Sequence, residues 1–503
     1  MIKILIKSFF AILILQFSFE LYSQKLSEKE FEERLNYERG NYPIQNYNQD
    51  FLNRPGYVWG ILKSKKDNLI YMAANWGVIE YDGVNIRRLP VKEDTTYSGV
   101  SGGPFARSLV EMDDGTIYST GVNRFGRLVD NEYGFKEYEY LLHKLPDSID
   151  YRRQGNIWGA FEHNNKVIFY TPNFIFSWDG EKFDRIWKMS EYAGARNSKG
   201  KIHGFAKTGN IPYMRRWGYG MYKLVNDEFK FIEGTEIFAN NRIELFYENS
   251  NQDLLLFSRQ LGAYILDKNG KLYKSDNEIL NRWLIKNAVY VHDDLRPFKD
   301  GSFPVHSRGG ILILDDNLNI LNSLDEDDGL ETSTSNITFI DENDNLLVGT
   351  TNGFSKISFN NSLTEYDSKY GIGGYVWAPI KRLDGKLYFG STKDLYSLSP
   401  SYNPMKNNRI DIIGFNDMMG EYHKFDNSII GVHNYGLSEY NGNKVIMISN
   451  DYDIAMSSQS KLNKKILLVA HRIDGLKVMR RNSSGKFKII KTFQPKDNLS
   501  VRG

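Results

Sequence analysis

Arginine and aromatic residues recur in loops that lie about 44 residues apart along this chain. A guanidinium group presents a planar fork of N–H donors that suits carboxylate and sulfate groups, and it stacks on neighbouring aromatic faces. This combination predicts a binding site for an anionic oligosaccharide. The alternative is that these arginines are solvated residues of exposed turns, which tolerate them without energetic cost. The candidate ligand-binding residues are Trp76, Arg124, Phe125, Arg215, Arg216, Trp217, Arg259 and Arg308.

No residue pattern in the sequence predicts catalysis. The His-Glu-x-x-His, phosphate-loop and dinucleotide motifs are missing, and the eight histidines are scattered. Residues 99–103 loosely resemble a nucleophile elbow, but they lie in a polar loop without the strand and helix that an elbow needs. Acidic runs at 325–328 and 341–344 lack the ligand spacing of a calcium loop. We therefore predict no catalytic residue, no metal site and no cofactor.

The arginine-bearing loops belong to an internal repeat. Its clearest unit, residues 67–83, contains an Asp-Asn turn, a short apolar strand, a bend that ends in Gly77, and a second strand that ends in Tyr-Asp-Gly. Ten corresponding positions, from Gly77 to Gly475, have a mean spacing of about 44 residues. This period is typical of a four-stranded propeller blade, which takes roughly 40–50 residues.

A propeller explains how distant loops could form one site, because equivalent loops of successive blades meet on one face. Short hairpin turns favour antiparallel pairing, and no segment keeps a helical period for more than a few turns. The 62 tyrosines and phenylalanines and 43 glycines suit pleated sheets joined by positive-φ turns. We predict an all-β β-propeller in which the recurring Asp, Gly and aromatic residues are devices of the fold.

Residues 328–354 resemble a known family. They contain an Asp-Gly-Leu connector, a polar Ser/Asn step, a strand into an acidic turn, and Gly-Thr-Thr-Asn-Gly-Phe. This order resembles the two-component regulator propeller repeat, which forms the periplasmic sensor regions of hybrid two-component histidine kinases and of triple-tyrosine-domain regulators. The resemblance covers residues 56–503 and is strongest at 67–83 and 328–354. In the first copy, Ala73-Ala74 stands in place of Gly-Thr.

The resemblance implies an exported sensor segment that binds a small molecule or an extracellular oligosaccharide. In the family, two seven-bladed propellers are typically followed by a triple-tyrosine domain, a membrane helix and a cytoplasmic kinase or helix-turn-helix output. Kinase activity would therefore belong to other parts of a full-length member. The expected partners are the ligand and a second copy in a homodimer, with no nucleic acid and with membrane attachment only through C-terminal parts.

The N-terminus predicts export. Residues 1–23 contain Lys3 and Lys7, an apolar run from Phe9 to Phe19, and Ser23 at the end, which is the order of a secretory signal peptide. The apolar run is about half of the roughly 20 residues that a bilayer requires. We therefore expect a periplasmic or extracellular location. A net charge of +2 predicts no nucleic-acid surface, and the absence of cysteine excludes disulfides and thiol chemistry.

The repeat also predicts the domain organisation. Ten units exceed the roughly four to eight blades of a single ring. We expect a signal peptide at 1–23, a leader at 24–55, a first propeller of about seven blades at 56–365, and the first three blades of a second, truncated propeller at 366–503.

Two other functions stay open on the sequence alone. One is a secreted propeller enzyme that acts on carbohydrates, such as a lyase or a sialidase-like hydrolase, although the Ser-x-Asp-x-Gly-x-x-Trp box of sialidases is missing. The other is a non-catalytic structural or scaffold propeller.

Overall fold

A computed structural model describes residues 40–48, 56–90, 105–150, 154–190, 198–290, 295–359, 361, 363, 365–366, 370–383, 385–399 and 409–494. The predicted signal peptide, most of the predicted leader and residues 99–103 lie outside this part of the chain. None of the helices within it is long and apolar enough to cross a membrane.

Short strands form because polar side chains close the hairpins locally. In the turn after the third strand of the first sheet, Asp82 Oδ1 accepts the N–H groups of Val84 and Asn85 at 2.8 and 2.6 Å. A side-chain oxygen that bonds the backbone two or three residues later imitates a backbone turn. The recurring Asp and Asn residues are therefore turn formers, and the same contact is made by Asn131, Asp179, Asp267, Asp315, Asn441 and Asn482.

Residues Tyr42–Leu363 form one compact unit with seven sheets among its described residues. Its first strand is β1 (Ile44–Tyr47). The first sheet has β2 (Val58–Lys63), β3 (Ile70–Ala74), β4 (Gly77–Tyr81) and β5 (Ile86–Arg88). The second has β6 (Ala106–Glu111), β7 (Ile117–Gly121), β8 (Arg124–Asp130) and β9 (Lys136–Tyr140). The third has β10 (Ala160–His163), β11 (Lys166–Tyr170), β12 (Phe174–Trp178) and β13 (Phe183–Lys188).

The remaining four sheets of this unit continue the pattern. The fourth has β14 (Ile202–Thr208), β15 (Ile211–Arg216), β16 (Gly220–Val225) and β17 (Glu228–Phe231), and the fifth has β18 (Leu245–Glu248), β19 (Leu254–Ser258), β20 (Gly262–Leu266) and β21 (Leu272–Lys274). The sixth has three strands, β22 (Phe303–Ser307), β23 (Gly310–Leu314) and β24 (Ile320–Leu324). The seventh has β25 (Ser335–Ile340), β26 (Asn345–Thr350) and β27 (Gly353–Ser358), with β1 as its outer strand.

The unit closes into a ring. The first strands of neighbouring sheets contact one another, and β25 of the last sheet meets β2 of the first, where the Asn336 side-chain amide donates to the Val58 carbonyl at 3.2 Å. Between the fifth and sixth sheets, the rings of Tyr247 and Phe303 lie 4.1 Å apart. The predicted all-β propeller, with one seven-bladed ring and further blades, is confirmed.

The outer strand of the seventh sheet comes from the start of the unit. β1 pairs antiparallel with β27, from Ile44 opposite Ile357 to Tyr47 opposite Phe354. The Tyr47 ring stacks on Phe354 at 4.4 Å and meets the edge of Tyr81 at 5.3 Å. This strand lies inside the stretch that the sequence assigns to a leader, because a four-residue strand carries no periodicity and its partner is about 310 residues away.

The core lies between the faces of neighbouring sheets. Between the second and third sheets, for example, Phe125 is fully buried and stacks on Phe169 at 4.3 Å, and it meets the edge of Trp178 at 5.8 Å. Such aromatic pairs bury large areas and hold the sheets together without a disulfide.

Among the described residues, the α-helix α1 (Glu278–Asn287) lies between the fifth and sixth sheets, and short 3-10 turns span Leu142–Lys144 and Glu236–Phe238. Asn277 caps the helix by accepting the Leu280 N–H at 3.1 Å. The Asn281 side chain accepts the Ala263 N–H and donates to the Ser275 carbonyl, both at 2.9 Å, which attaches the helix to β20.

The described residues from 365 onward form the second unit, together with Gly40 and Asn41. Asn41 donates its N–H to the Glu365 carbonyl at 2.9 Å. Three four-stranded antiparallel sheets follow. They are β28 (Lys381–Leu383), β29 (Lys386–Gly390), β30 (Leu395–Ser399) and β31 (Arg409–Ile412), then β32 (Met419–Phe425), β33 (Ser428–His433), β34 (Gly436–Tyr440) and β35 (Val445–Ser449), then β36 (Ile454–Gln459), β37 (Ile466–His471), β38 (Gly475–Arg481) and β39 (Phe487–Phe493).

Candidate functional site

The predicted ligand-binding residues lie at one end of the ring, which we call the turn face. It carries the turn between the second and third strands of each sheet and the start of each first strand. The two are joined by backbone hydrogen bonds, such as Asn75 N–H to the Tyr57 carbonyl at 3.2 Å and Trp217 N–H to the Lys201 carbonyl at 2.9 Å. The turn face is therefore where side chains from several sheets converge.

A hydroxyl group shapes many of the turns on this face. Thr350 Oγ1 accepts the Asn352 N–H at 3.0 Å and donates to the Gly353 carbonyl at 3.1 Å. Ser307 makes the same pair of contacts with Gly309 and Gly310, both at 2.9 Å. The Gly-Thr element of the repeat thus serves the fold, because it satisfies turn N–H groups that would otherwise lose hydrogen bonds.

The glycine that ends these turns is required by a close approach. Gly353 has φ +99°, and a Cβ there would lie 2.0 Å from the Tyr47 carbonyl oxygen of β1. The second sheet differs, because Asn123 supplies the positive φ, at 53°. Arg124 therefore already begins strand β8, and Gly126 lies two residues further on.

Trp76, Arg124 and Phe125 lie within or beside the ring's core. Trp76 is buried in the turn between β3 and β4, and Phe125 has no exposed surface. Arg124 is only 9% exposed and lines a cavity of about 20 Å³ between the first and second sheets, with Phe105 and Tyr138. Burial lowers the pKa of Arg124. These three side chains pack the fold, and sequence spacing alone did not distinguish them from exposed turn residues.

Arg215 and Arg216 are committed to backbone carbonyls. Arg215 is 0% exposed and donates to the carbonyls of Phe238 and Ala239 at 2.8 and 2.9 Å, while its guanidinium carbon lies 3.6 Å from the centroid of the buried Trp217 ring. Burial lowers the pKa of Arg215 to about 9. Arg216 donates to the carbonyls of Gly200 and Met189 at 3.2 and 2.5 Å. Both arginines therefore hold the turns in place.

Arg259 and Arg308 keep part of their surface in solvent. Arg259 Nε lies 3.0 Å from Glu244 Oε1, in an ion pair at the start of the fifth sheet. Arg308 is exposed, and its Nε donates to the Tyr290 hydroxyl oxygen at 3.2 Å. Arg216 also keeps part of its surface exposed, but it is bonded to backbone carbonyls. Of the predicted arginines with exposed surface, Arg259 and Arg308 are the two whose guanidinium groups pair with or hydrogen-bond to side chains.

Glu244 and His203 were not singled out by the sequence pattern. Glu244 is 2% exposed, and burial raises its pKa to about 6 although Arg259, Arg242 and Arg215 act in the opposite direction. His203 Nε2 lies 3.9 Å from Glu244 Oε2, and burial, followed by the charges of the same arginines, lowers the pKa of His203 to about 3. His203 is therefore neutral near pH 7, and three arginine charges, with Arg259 in direct contact, act on one buried carboxyl group.

The first strands carry a second feature that the sequence reasoning missed. Their pairing register shifts by one residue at the turn face, between Val58 and Gly60, between Ala106 and Ser108, and between Ser335 and Ile337. Such bulges re-aim the extra residue, here Trp59, Arg107 and Asn336. A sequence signal exists in Trp59-Gly60, Trp158-Gly159 and His203-Gly204, where a large ring precedes glycine at the start of a first strand.

A group in the second unit has the spacing of a metal site. Ligand atoms of Asp451, Asp453 and His471 lie within 4.8 Å of one another. His471 Nδ1 already accepts two backbone N–H groups, and its Nε2 lies 3.0 Å from Asp451. Lys477 Nζ lies 3.1 Å from Asp451 and 2.9 Å from Asp474. Because these groups satisfy one another, the arrangement favours an ion-pair network over metal binding.

No protein-family model and no curated protein matches the chain. Solved structures do match. The extracellular domain of the hybrid two-component system BT3049 from B. thetaiotaomicron has a TM-score of 0.52 at 13% identity, covering 90% of this chain and 67% of that one. The corresponding domain of BT4673 has a TM-score of 0.47 at 13% identity, covering 90% and 61%. Virginiamycin B lyase from Staphylococcus aureus has a TM-score of 0.44 at 10% identity, covering 63% and 99%.

The chain spans 61% of the length of the BT4673 domain. The likeness to BT3049, at 13% identity, establishes the fold. The chain thus has the β-propeller fold, which it shares with the extracellular domain of the hybrid two-component system BT3049.

Proposed function

We propose that this chain is the exported ligand-binding segment of a two-component or related transcriptional regulatory system, and that the turn face of its ring binds an anionic oligosaccharide. The observation that carries the proposal is the ion pair between Arg259 and the buried carboxyl group of Glu244, at 3.0 Å, on which the positive charges of Arg242 and Arg215 also act. Three guanidinium charges against at most one carboxylate leave this corner of the turn face positive.

Partial burial of these arginines strengthens their attraction for an anion. Arg242 and Arg259 are partly buried, so an anion that reaches them is shielded from bulk water on the protein side. Electrostatic attraction grows as the local dielectric constant falls. Arg308 adds an exposed guanidinium group on the next sheet. Several cationic groups on neighbouring sheets suit a chain-like ligand with repeated carboxylate or sulfate groups.

Signalling in this proposal requires no bond-making by the segment. The ligand would shift the balance between two arrangements of the protein, and it can do so only if it contacts them differently. We further propose that the three sheets after residue 365 begin a second propeller, that the segment acts outside the cytoplasm, and that membrane and output parts belong to the whole regulator. Dimerisation stays a prediction.

The test is calorimetry with carboxylated and sulfated oligosaccharides on the full chain. Replacing Arg242, Arg259 and Arg308 together with glutamine should weaken binding at least about ten-fold, because hydrogen bonds to charged groups are worth about 1.5–3 kcal/mol each. Arg472→Gln is the matched control, since Arg472 is an exposed residue of the corresponding turn in the second unit.

Two results would contradict the proposal. The first is that no acidic oligosaccharide binds the chain. The second is that the triple variant binds as tightly as the unmodified protein, or that Arg472→Gln weakens binding to the same extent.

A further inference from the structure

Three side chains at or just before the first strands of consecutive sheets contact one another at the turn face. The guanidinium carbon of Arg107 lies 4.3 Å from the centroid of the Trp59 ring and 5.1 Å from that of Trp158. The two indole rings meet edge to face, with centroids 6.2 Å apart. Both indole rings thus lie within cation–π distance of the Arg107 guanidinium group. We call these three residues the indole–guanidinium shelf.

The backbone holds the shelf in position. Trp59 and Arg107 are the extra residues of two β-bulges, and Trp158 lies two residues before β10. Asn75, in the turn between β3 and β4, accepts the Trp59 indole N–H at 2.6 Å and lies 3.4 Å from Arg107 Nη1. Bulges commonly occur beside functional sites because they redirect a side chain out of the regular alternation.

Trp158 packs against the core between the third and fourth sheets, but the shelf keeps more exposed surface than the fully buried core aromatics. Phe125 and Trp178 are buried, whereas Trp59, Arg107 and Trp158 are only partly buried. Tyr57, which stacks on Trp59 at 5.4 Å, is 42% exposed. An aromatic group that served only to join the sheets would gain most stability from full burial. The retained surface indicates a ligand.

The chemistry of the shelf indicates which ligand. Stacking uses the faces of a guanidinium group, whereas its hydrogen bonds are made in its plane, where carboxylate and sulfate groups fit in a bidentate manner. The partly exposed indole rings and the exposed Tyr57 phenol ring offer apolar faces to the C–H groups of a sugar. A single sugar residue that carries an acidic substituent satisfies both features.

We propose that Trp59, Arg107 and Trp158 form a subsite for one acidic sugar residue of the ligand. The inference rests on the proposed function and extends it, because it assigns a contact on the first three sheets, apart from the arginines of the fifth and sixth. The shelf and the arginines of the fifth and sixth sheets are two separate cationic groups on the turn face. This arrangement suits an oligosaccharide with more than one anionic substituent.

The experiment uses the full chain and three tetrasaccharide probes of matched length: a sulfated one, a uronate and an uncharged glucan. Affinity is measured by calorimetry and by tryptophan emission at one fixed salt concentration. Arg107→Lys should raise the Kd of the acidic probes at least about ten-fold, because lysine keeps the charge but loses the planar fork. Trp158→Ala should do the same, and it keeps the test valid if Arg107→Lys does not fold.

Arg185→Lys is the matched control. Arg185 also stacks on an indole, with its guanidinium carbon 5.6 Å from the Trp187 ring, but it lies on β13, the outer strand of the third sheet. The Kd of the Arg185→Lys variant for the acidic probes should stay within about two-fold of that of the unmodified chain. The reason is that a surface stack away from the proposed subsite does not contact the ligand.

The outcomes separate this inference from the proposed function. If acidic probes bind and the triple arginine variant weakens them, but folded Arg107→Lys and Trp158→Ala variants bind normally, the subsite is refuted and the proposed function stands. Equal losses in Arg107→Lys and Arg185→Lys also refute the subsite. If no acidic probe binds the unmodified chain, both proposals fail.

Discussion

At the scale of single residues, similar turns give arginine different roles. Arg215, the penultimate residue of β15, meets the carbonyls of Phe238 and Ala239 at the end of the Glu236–Phe238 turn, so it is buried and bonded to backbone. Arg259 follows β19 and meets the carboxyl group of Glu244 beside solvent. Which role an arginine takes depends on the groups that the neighbouring loop presents, and only an arginine beside solvent can contact a ligand.

The partly buried His203 predicts that the propeller is less stable in acid. Its pKa is lowered to about 3 in the folded state, mainly by burial. As the pH falls below about 6.5, His203 becomes protonated in the unfolded chain but stays neutral in the folded chain. The free energy of unfolding therefore decreases. His203→Asn should therefore reduce the loss of unfolding free energy between pH 6.5 and pH 5 by roughly 2 kcal/mol. Urea denaturation at several pH values measures this change.

Glu244→Gln gives a control of opposite sign. The pKa of Glu244 is raised to about 6, so stability from this group is lost as the pH rises from about 4.5 to 6. Because Glu244→Gln removes this loss, the free energy of unfolding should rise more steeply with pH over that interval than it does in the unmodified chain. Parallel pH profiles for the unmodified chain and both variants would contradict the assignment of these two groups.

At the scale of strands, the first strands and β1 determine the shape of the ring. Bulges near the beginnings of β2, β6 and β25 place one side chain per strand outside the regular alternation, which produces the lining of the turn face. β1 adds a fourth strand to the last sheet and so joins the two ends of the ring. Both features depend on pairings between strands rather than on local residue preference.

Tyr47→Ala tests the closing strand. The Tyr47 ring is buried between Phe354 and Tyr81, so its removal should lower the free energy of unfolding by about 3–5 kcal/mol, as for other large aromatic truncations. Gln45→Ala, on the exposed side of the same strand, should change it by less than about 0.5 kcal/mol. Equal effects of the two substitutions in chemical denaturation would show that β1 does not stabilise the ring.

At the scale of the whole molecule, the chain divides into two compact units. The ring unit, Tyr42–Leu363, includes both its first and its last strand in one sheet. Closing a propeller in this way removes an exposed sheet edge that could pair with other chains. The unit therefore contains the pairings that its closure requires.

A fragment of residues 42–363 should unfold cooperatively and remain monodisperse, because β1 is present. A fragment of residues 56–363 lacks β1 and should unfold at lower denaturant concentration and aggregate, because the edge of β27 is then uncovered. Chemical denaturation and size-exclusion chromatography compare the two. Identical behaviour would show that β1 is dispensable for closure.

The sequence by itself determined the repeat, its antiparallel hairpins and the all-β class. These features depend on contacts within a few residues, such as Asp82 with Val84 or Thr350 with Asn352, so residue type and spacing are sufficient to predict them. The candidate turn residues were also visible, because arginine recurs beside the same glycine. Their burial was not visible.

Only the tertiary structure decided which of these residues reach solvent and which strands close the ring. β1 meets β27 across about 310 residues, and Arg215 is buried by carbonyls 23 and 24 residues away. Trp59, Arg107 and Trp158 come from three sheets, and they meet because bulges redirect Trp59 and Arg107 and because the ring places the residues before β10 beside them. Such contacts depend on the closure of the whole ring, and closure leaves no local pattern in the chain.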